Sequence, residues 1–391
     1  MSAENPAEFV SRRVRSIPAS GIRRFFDLIG SIEDVISLGV GEPDFDTPRP
    51  LTQAAIRSLD EGRTHYTSNY GLLELRQALS AHLERLYGVR YDPASEIVIT
   101  TGVSEALQIA VHVALDHDDE LIAHEPCFVA YRPAVTLAGG VWVPVPTEPE
   151  NDFLVSAPDL EAAVTPRTKA ILLSYPNNPT GAEMSEYHLG PIADLAARRN
   201  LLVIADEIYD RMTYGVQHTC FPSLPGMKER TILIGGWSKT YAMTGWRVGW
   251  ACAPAEILEA MMKVHQYVMM CAPTPSQYAA LEALRSGEEP AQEMMREYDR
   301  RRRLIVDGFN RLGLTCFEPK GAFYTFPSVR STGLSDEDFT ERLLREEKVV
   351  VVPGSAFGAC GAGHVRACYA TPYEKIEEAL ERIARFVGKV R

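Results

Sequence analysis

Residues 96–115, EIVITTGVSEALQIAVHVAL, set an apolar β-rich run directly before a glycine turn and an amphipathic helical pattern. The alternation continues through ELIAH at 120–124, AILLSYP at 170–176 and a helical pattern in PIADLAARRN at 191–200. It resumes with LLVIADE at 201–207, TILIGG at 231–236 and RVGWACAP at 247–254. Strands that alternate with helices imply an α/β fold with a mainly parallel sheet covered on both faces. In such sheets ligands sit beyond the carboxyl ends of the strands, so candidate site residues are sought there.

Downstream the pattern changes. A long charged helical run at 288–312 precedes GAFYTF at 321–326, a helix in DEDFTERLLREE, then VVVVP, VRACYA and a closing helix, which reads as a smaller α+β unit. The expected division is a 1–47 segment packing on the small unit, a large domain at 48–287 and the small domain at 288–391. A chain of 391 residues is long enough for two cores.

Composition excludes several classes. An apolar share of 46% and a charged share of 24% are ordinary for a soluble domain, and no segment has the apolar length to cross a bilayer. The start, MSAENPAEFVSRRVRSIP, lacks the apolar centre of a signal peptide, so a cytoplasmic location is expected. Seven cysteines, scattered and without CxxC or Cys/His spacing, predict reduced, buried thiols and no metal site. A net charge of −12 disfavours nucleic acid as a partner. Arg12, Arg13 and Arg15, and the run Arg300 to Arg303, are read as solvated helix faces.

Lys239, in GGWSKTYAMTGWRVGW, follows a β-rich run in a small-residue turn, with Arg247 further along. A buried lysine with a lowered pKa forms Schiff bases readily, although a lysine in a turn is more often solvated. The GxxxxGK spacing of a nucleotide loop is missing. Asp206 ends LLVIAD at the sheet's carboxyl edge, where a carboxylate needs a cationic or hydrogen-bonding partner. A protonated ring nitrogen would serve; so would an N-cap role for a following helix. Tyr209 lies three residues on, available for a hydrogen bond or for plain packing. Ser104 opens the helix after TTG, either as an anion site at a helix start or as an ordinary cap. Asn178, in SYPNNPTG, follows a strand and faces the same edge, or merely makes a turn.

The order and spacing of these segments resemble the class I aminotransferases of the pyridoxal-phosphate (PLP) fold type I superfamily. The likeness runs through VISLGVGEPDFDTP at 35–48, HYTSNYGLLELRQAL at 65–79, PNNPTG, ADEIY, SKTYAMTGWRVGW, KGAFYTFP, VVPGSAFG and VRACYATPYEKIEEALERI at 365–383. Within that family the chain is most similar to prokaryotic aspartate and aromatic aminotransferases, particularly the archaeal-type aromatic enzymes. The resemblance implies that Lys239 carries PLP and shuttles the proton. It pairs Asp206 with the pyridine nitrogen, and Tyr209 and Asn178 with the phenolic oxygen. It gives the phosphate to Val103, Ser104, Ser238 and Arg247, with Tyr66 reaching the neighbouring subunit of a homodimer. Arg366 and Gly41 would meet the substrate's α-carboxylate. Phe128 stands where many relatives stack a tryptophan on the ring, so stacking survives but an N–H donor is lost. Gly236 stands where some relatives have a phosphate-binding serine.

The expected reaction is a ping-pong transfer of the amino group of an L-amino acid, aromatic or aspartate-like, to a 2-oxo acid such as 2-oxoglutarate. One alternative is a carbon–sulfur β-lyase using the same lysine and aspartate. Another is a PLP-binding regulator fused to a DNA-binding domain, for which the acidic chain offers no room before residue 38. Ile17 to Phe26 is read as a mobile cover over the substrate, and Phe25, Phe26 and Phe128 lean the donor toward aromatic side chains.

Overall fold

The computed structural model describes residues 9–18 and 34–391. Among the described residues, α-helices and strands follow in order: α1 (Arg12–Arg15), β1 (Ile36–Ser37), α2 (Arg49–Asp60), α3 (Leu73–Tyr87), β2 (Ile97–Thr100), α4 (Val103–Ala114), β3 (Glu120–Glu125), α5 (Tyr131–Ala138), β4 (Val141–Pro146), α6 (Ala157–Ala163), β5 (Thr168–Leu173), α7 (Glu186–Arg199), β6 (Leu202–Asp206), β7 (Thr231–Gly236), β8 (Gly249–Cys252), α8 (Ala255–Val268), α9 (Thr274–Ser286), α10 (Glu288–Arg311), β9 (Tyr324–Thr325), α11 (Asp336–Glu347), β10 (Val349–Val350), β11 (Val352–Pro353), β12 (Val365–Cys368) and α12 (Tyr373–Val390).

Seven strands form the large sheet in the order β2-β8-β7-β6-β5-β3-β4, and only β8 runs against the rest. Apart from the partly exposed edge strand β4, its strands are largely apolar runs because both faces are buried. Along β2, Ile97 and Ile99 join the core under α3, α7 and α9, while Val98 joins the opposite core under α4, α5 and α8. Val203 and Ile204 on β6 divide in the same way. The ends of β2, β3, β5, β6 and β7 therefore meet at one edge, which is where the chain turns into its chemistry-bearing segments.

A third core unites Ile36 and Leu38 with Ile305, Phe309, Phe339, Leu343, Ile376 and Phe386. Here β1 pairs in parallel with β10, and β11, β12 and β9 form an antiparallel sheet. The run VVVVP is split at Val351, so that β10 and β11 serve different sheets. Of the described part of the 1–47 segment, β1 joins the small unit but α1 does not. Arg13 of α1 donates to the Leu137 carbonyl at 3.0 Å, which sets α1 against α5 of the large unit. Most of the proposed cover, residues 19–26, lies outside the described residues.

The arginine run of α10 is a solvated face only in part: Arg300 and Arg303 are exposed and pair with acids of the same helix. Arg301 and Arg302 are buried. Arg301 bonds both oxygens of Asp44 at 2.8 and 2.9 Å, and Arg302 bonds Glu318 at 2.8 Å. Their partners are distant in sequence, so the run alone gave no sign of them. The cysteines are free, five of them buried. Among the described residues, no helix is long and apolar enough to cross a membrane.

Candidate active site

At the carboxyl edge of the large sheet lies a cavity of about 610 Å³ that also takes in Gly41, Tyr324 and Arg366 from the N-terminal and small-unit elements. Gly41, Val103, Ser104, Phe128, Asn178, Asp206, Tyr209, Ser238, Lys239, Arg247 and Arg366 all line it. Tyr66 does not; it is 80% exposed on the surface.

Lys239 follows the end of β7 and its Nζ donates to the Gly41 carbonyl at 2.7 Å. Burial lowers its ammonium to about 8, and the charge of Arg366 acts in the same direction. The amine is thereby brought within reach of its neutral, nucleophilic form. Asp206 ends β6, and no helix follows it, so it is not an N-cap. Its Oδ1 accepts from the Ile208 N–H at 3.2 Å and its Oδ2 from the Tyr131 hydroxyl at 2.8 Å. Burial raises the carboxyl to about 6, a shift that the Tyr131 hydrogen bond opposes. A buried acid held only by neutral donors is a place where a ring cation fits.

The turn after β2 forms a second pole. Gly102, with φ +76°, is the cap of α4, and Ser104 is the second helical residue rather than the cap. The N–H groups of Gly102, Val103 and Ser104 have no protein acceptor among the described residues. The Arg247 guanidinium packs beside Gly102, and its Nη1 donates to the Thr244 carbonyl at 2.8 Å. Ser238 lines the same cavity. Free amides at a helix start, a hydroxyl and a guanidinium suit a phosphate.

Arg366 is the third pole. It is 3% exposed and faces no carboxylate among the described residues. Its Nη1 donates to Asn178 Oδ1 at 3.0 Å and its Nη2 to the Gly39 carbonyl at 2.6 Å, while Nε has no partner. Its guanidinium carbon lies 4.5 Å from the centre of the Tyr324 ring. A buried guanidinium without an acid is costly unless a ligand supplies one. At Gly41 a Cβ would collide with the Tyr324 hydroxyl, so only glycine fits the wall there.

Two contributors were missed from the sequence. Tyr324 bonds the Tyr209 hydroxyl at 2.8 Å. Tyr131 bonds both Asp206 and Ser174, the latter also at 2.8 Å. Tyr324 lies in KGAFYTFP, one of the segments that carry the resemblance, and Tyr131 three residues after Phe128, but their roles come from tertiary contacts. Phe128 meets Tyr131 edge to face, with centroids 5.6 Å apart. Asn177, beside Asn178, turns away and bonds His124 and the Pro126 carbonyl.

The sequence matches the family model of aminotransferase class I and II over residues 33–383. It is 46% identical to the aromatic-amino-acid aminotransferase 2 of Thermococcus litoralis over 379 residues, 96% of this chain and 97% of that protein. An aspartate aminotransferase of Pyrococcus abyssi is also 46% identical, with the same coverage. Among solved structures, the aromatic aminotransferase of Pyrococcus horikoshii superposes with a TM-score of 0.90 at 45% identity, covering 94% of this chain and 99% of that one. Relatives this similar are named as aminotransferases, so the carbon–sulfur lyase is not favoured. The family match and relatives of this identity over nearly the full length make the chain a member of the class I and II aminotransferases, a PLP-dependent enzyme that transfers amino groups between amino acids and 2-oxo acids.

Proposed function

We propose that Lys239 is the amine that joins the cofactor and then carries the proton of the transfer, and that the donor is an amino acid with a bulky apolar or aromatic side chain. PLP supplies, when bound, an aldehyde that takes up amines and a ring that spreads the charge left on the α-carbon. Asp206 holds the proton on the ring nitrogen, and Tyr131 fixes the carboxylate for that task. Tyr209 and Asn178 orient the phenolic oxygen, and Phe128 covers the ring face. The Val103 and Ser104 amides, Ser238 and Arg247 hold the phosphate. Arg366 takes the substrate's α-carboxylate in a two-point grip beside Gly41. The released Lys239 amine, whose titration burial brings down to about 8, removes the α-proton in its neutral form and returns it. The observation that carries this reading is one cavity holding Lys239, Asp206 and an Arg366 without an acid partner.

The donor assignment follows from the walls. Among the described lining residues the cations are Lys239, Arg247 and Arg366, each already given a task, so none is left for the second carboxylate of aspartate. Leu107, Pro133, Ala134, Leu137, Ile208 and Phe128 form an apolar surround. Identity alone does not choose, since an aromatic and an aspartate enzyme are equally similar to this chain. We further propose a cytoplasmic homodimer in which the exposed Tyr66 reaches the phosphate site of the other copy.

Borohydride reduction of the PLP-loaded protein, followed by peptide mapping, should leave the label on Lys239; a label elsewhere overturns the assignment. Twenty amino acids assayed against 2-oxoglutarate should give the highest kcat/KM with phenylalanine or tyrosine, and activity confined to aspartate overturns the donor proposal.

A further inference from the structure

Glu105 stands in the first turn of α4, next to the amides assigned to the phosphate. On charge alone it is badly placed: a carboxylate favours the helix start but competes there with a bound anion. Its two oxygens are nevertheless both committed. Oε2 accepts the Thr101 N–H at 2.5 Å and Oε1 meets His265 Nδ1 at 2.5 Å. The His265 side chain is fully buried on α8, and its Nε2 has no partner among the described residues, so Glu105 is its one side-chain hydrogen-bond partner among them. On the other side of the turn the Thr100 hydroxyl donates to the Gly102 carbonyl at 3.0 Å. The turn is therefore staked at both ends: the Thr101 N–H is drawn toward Glu105, the Gly102 carbonyl toward Thr100, and the next three amides are left without a protein acceptor among the described residues.

We propose that Glu105 is a positioning residue for the phosphate cup, held in place by His265 from across the α4–α8 contact. It aims the Gly102, Val103 and Ser104 N–H groups by fixing the peptide before them, and this contribution outweighs its charge. The inference rests on the reading that this end of α4 receives the cofactor's phosphate.

Two ligands separate the possibilities: PLP, and pyridoxal, which has the same ring and aldehyde without the phosphate. Dissociation constants are measured by fluorescence on the cofactor-free protein. Glu105→Ala should weaken PLP by about tenfold or more, as expected for losing a hydrogen bond to a charged group, and change pyridoxal by less than about twofold. Glu105→Gln keeps an acceptor for the Thr101 N–H and should stay within about threefold of wild type for PLP. Tighter or unchanged PLP binding in Glu105→Ala means that charge or nothing dominates, and overturns the proposal. Equal loss of both ligands shows a general structural role and overturns it as well. Should the alanine variant not fold, His265→Gln serves: a loss of about threefold or more for PLP but not pyridoxal is expected, and parallel changes overturn the proposal. In wild type, PLP binding no tighter than pyridoxal would instead remove the phosphate cup itself, a failure distinct from that of Glu105.

Discussion

The hydroxyls of Tyr209 and Tyr324 lie 2.8 Å apart in the buried wall of the cavity, and the Arg366 guanidinium sits over the Tyr324 ring. Two phenols in contact share one hydrogen bond, so what one donates decides what the other has left to offer. Either hydroxyl can be the donor, and when Tyr324 donates, the Tyr209 hydrogen is left free for the phenolic oxygen. Tyr324→Phe should weaken that second bond. The pH at which the PLP-loaded protein changes colour is expected to rise by about half a unit to one unit, the equivalent of one neutral hydrogen bond. A titration of absorbance that coincides with wild type would show that the pair has no influence on the ring.

Arg366→Lys tests the carboxylate grip. A lysine keeps the charge but loses the planar fork, and with it the simultaneous bonds to Asn178 Oδ1 and the Gly39 carbonyl. We expect kcat/KM for every amino donor to fall by about 100-fold, in line with about 3 kcal/mol for bonds to a charged group, while the absorbance of bound PLP stays the same. A fall limited to donors with acidic side chains would place Arg366 at the wrong end of the substrate.

How much of this was legible beforehand depends on what kind of contact each residue makes. The large sheet was readable because Ile97 to Thr100, Leu202 to Asp206 and Thr231 to Gly236 are uninterrupted apolar runs that end in turns, as a sheet buried on both faces requires. Lys239, Asp206 and Ser104 were readable because they sit at those ends. Tyr324 was not: it reaches the site through the pairing of β9 with β12, where Tyr324 lies opposite Cys368, and register between short, distant strands leaves no local mark. Glu105 and His265 are 160 residues apart, and either alone looks like an ordinary helix residue. The division of VVVVP between two sheets was hidden for the same reason, since four valines have no preferred partner.

Lys239 also makes a prediction about the cofactor-free protein. Its folded-state value of about 8 lies below the unfolded 10.5, so between these values the unfolded chain binds more protons. Stability therefore rises with pH across that window, and below pH 8 the full cost of burying the ammonium is present, up to about 3 kcal/mol. Cofactor-free Lys239→Met should be more stable than cofactor-free wild type at pH 7, and the gap should close toward pH 10.5. Denaturant unfolding at the two pH values measures it; a gap that widens with pH contradicts the assigned direction.

Arg301 links the loop that carries Gly39 and Gly41 to the small unit. It is bonded to Asp44 at 2.8 and 2.9 Å and to Glu297 at 2.8 Å, and its guanidinium also lies over Phe45 and Tyr298. The cavity end of the same loop is held by Lys239 at the Gly41 carbonyl and by Arg366 at the Gly39 carbonyl. On the proposed role, Lys239 gives up its bond to the Gly41 carbonyl during turnover, so the loop then depends more heavily on Arg301. Arg301→Ala leaves Asp44 without its cation; because the Asp44 side chain is 20% exposed, water recovers part of the loss, and we expect a cost of about 2 kcal/mol rather than the larger penalty of a fully buried pair. KM for the amino donor should rise by more than kcat falls, since the loop shapes the carboxylate site and not the reacting atoms. Arg301→Lys, which keeps the charge on Asp44 but loses the bond to Glu297, should recover stability before it recovers KM. Loss of stability with KM unchanged in both variants would mean that Arg301 braces the fold and leaves the loop's geometry to Lys239 and Arg366.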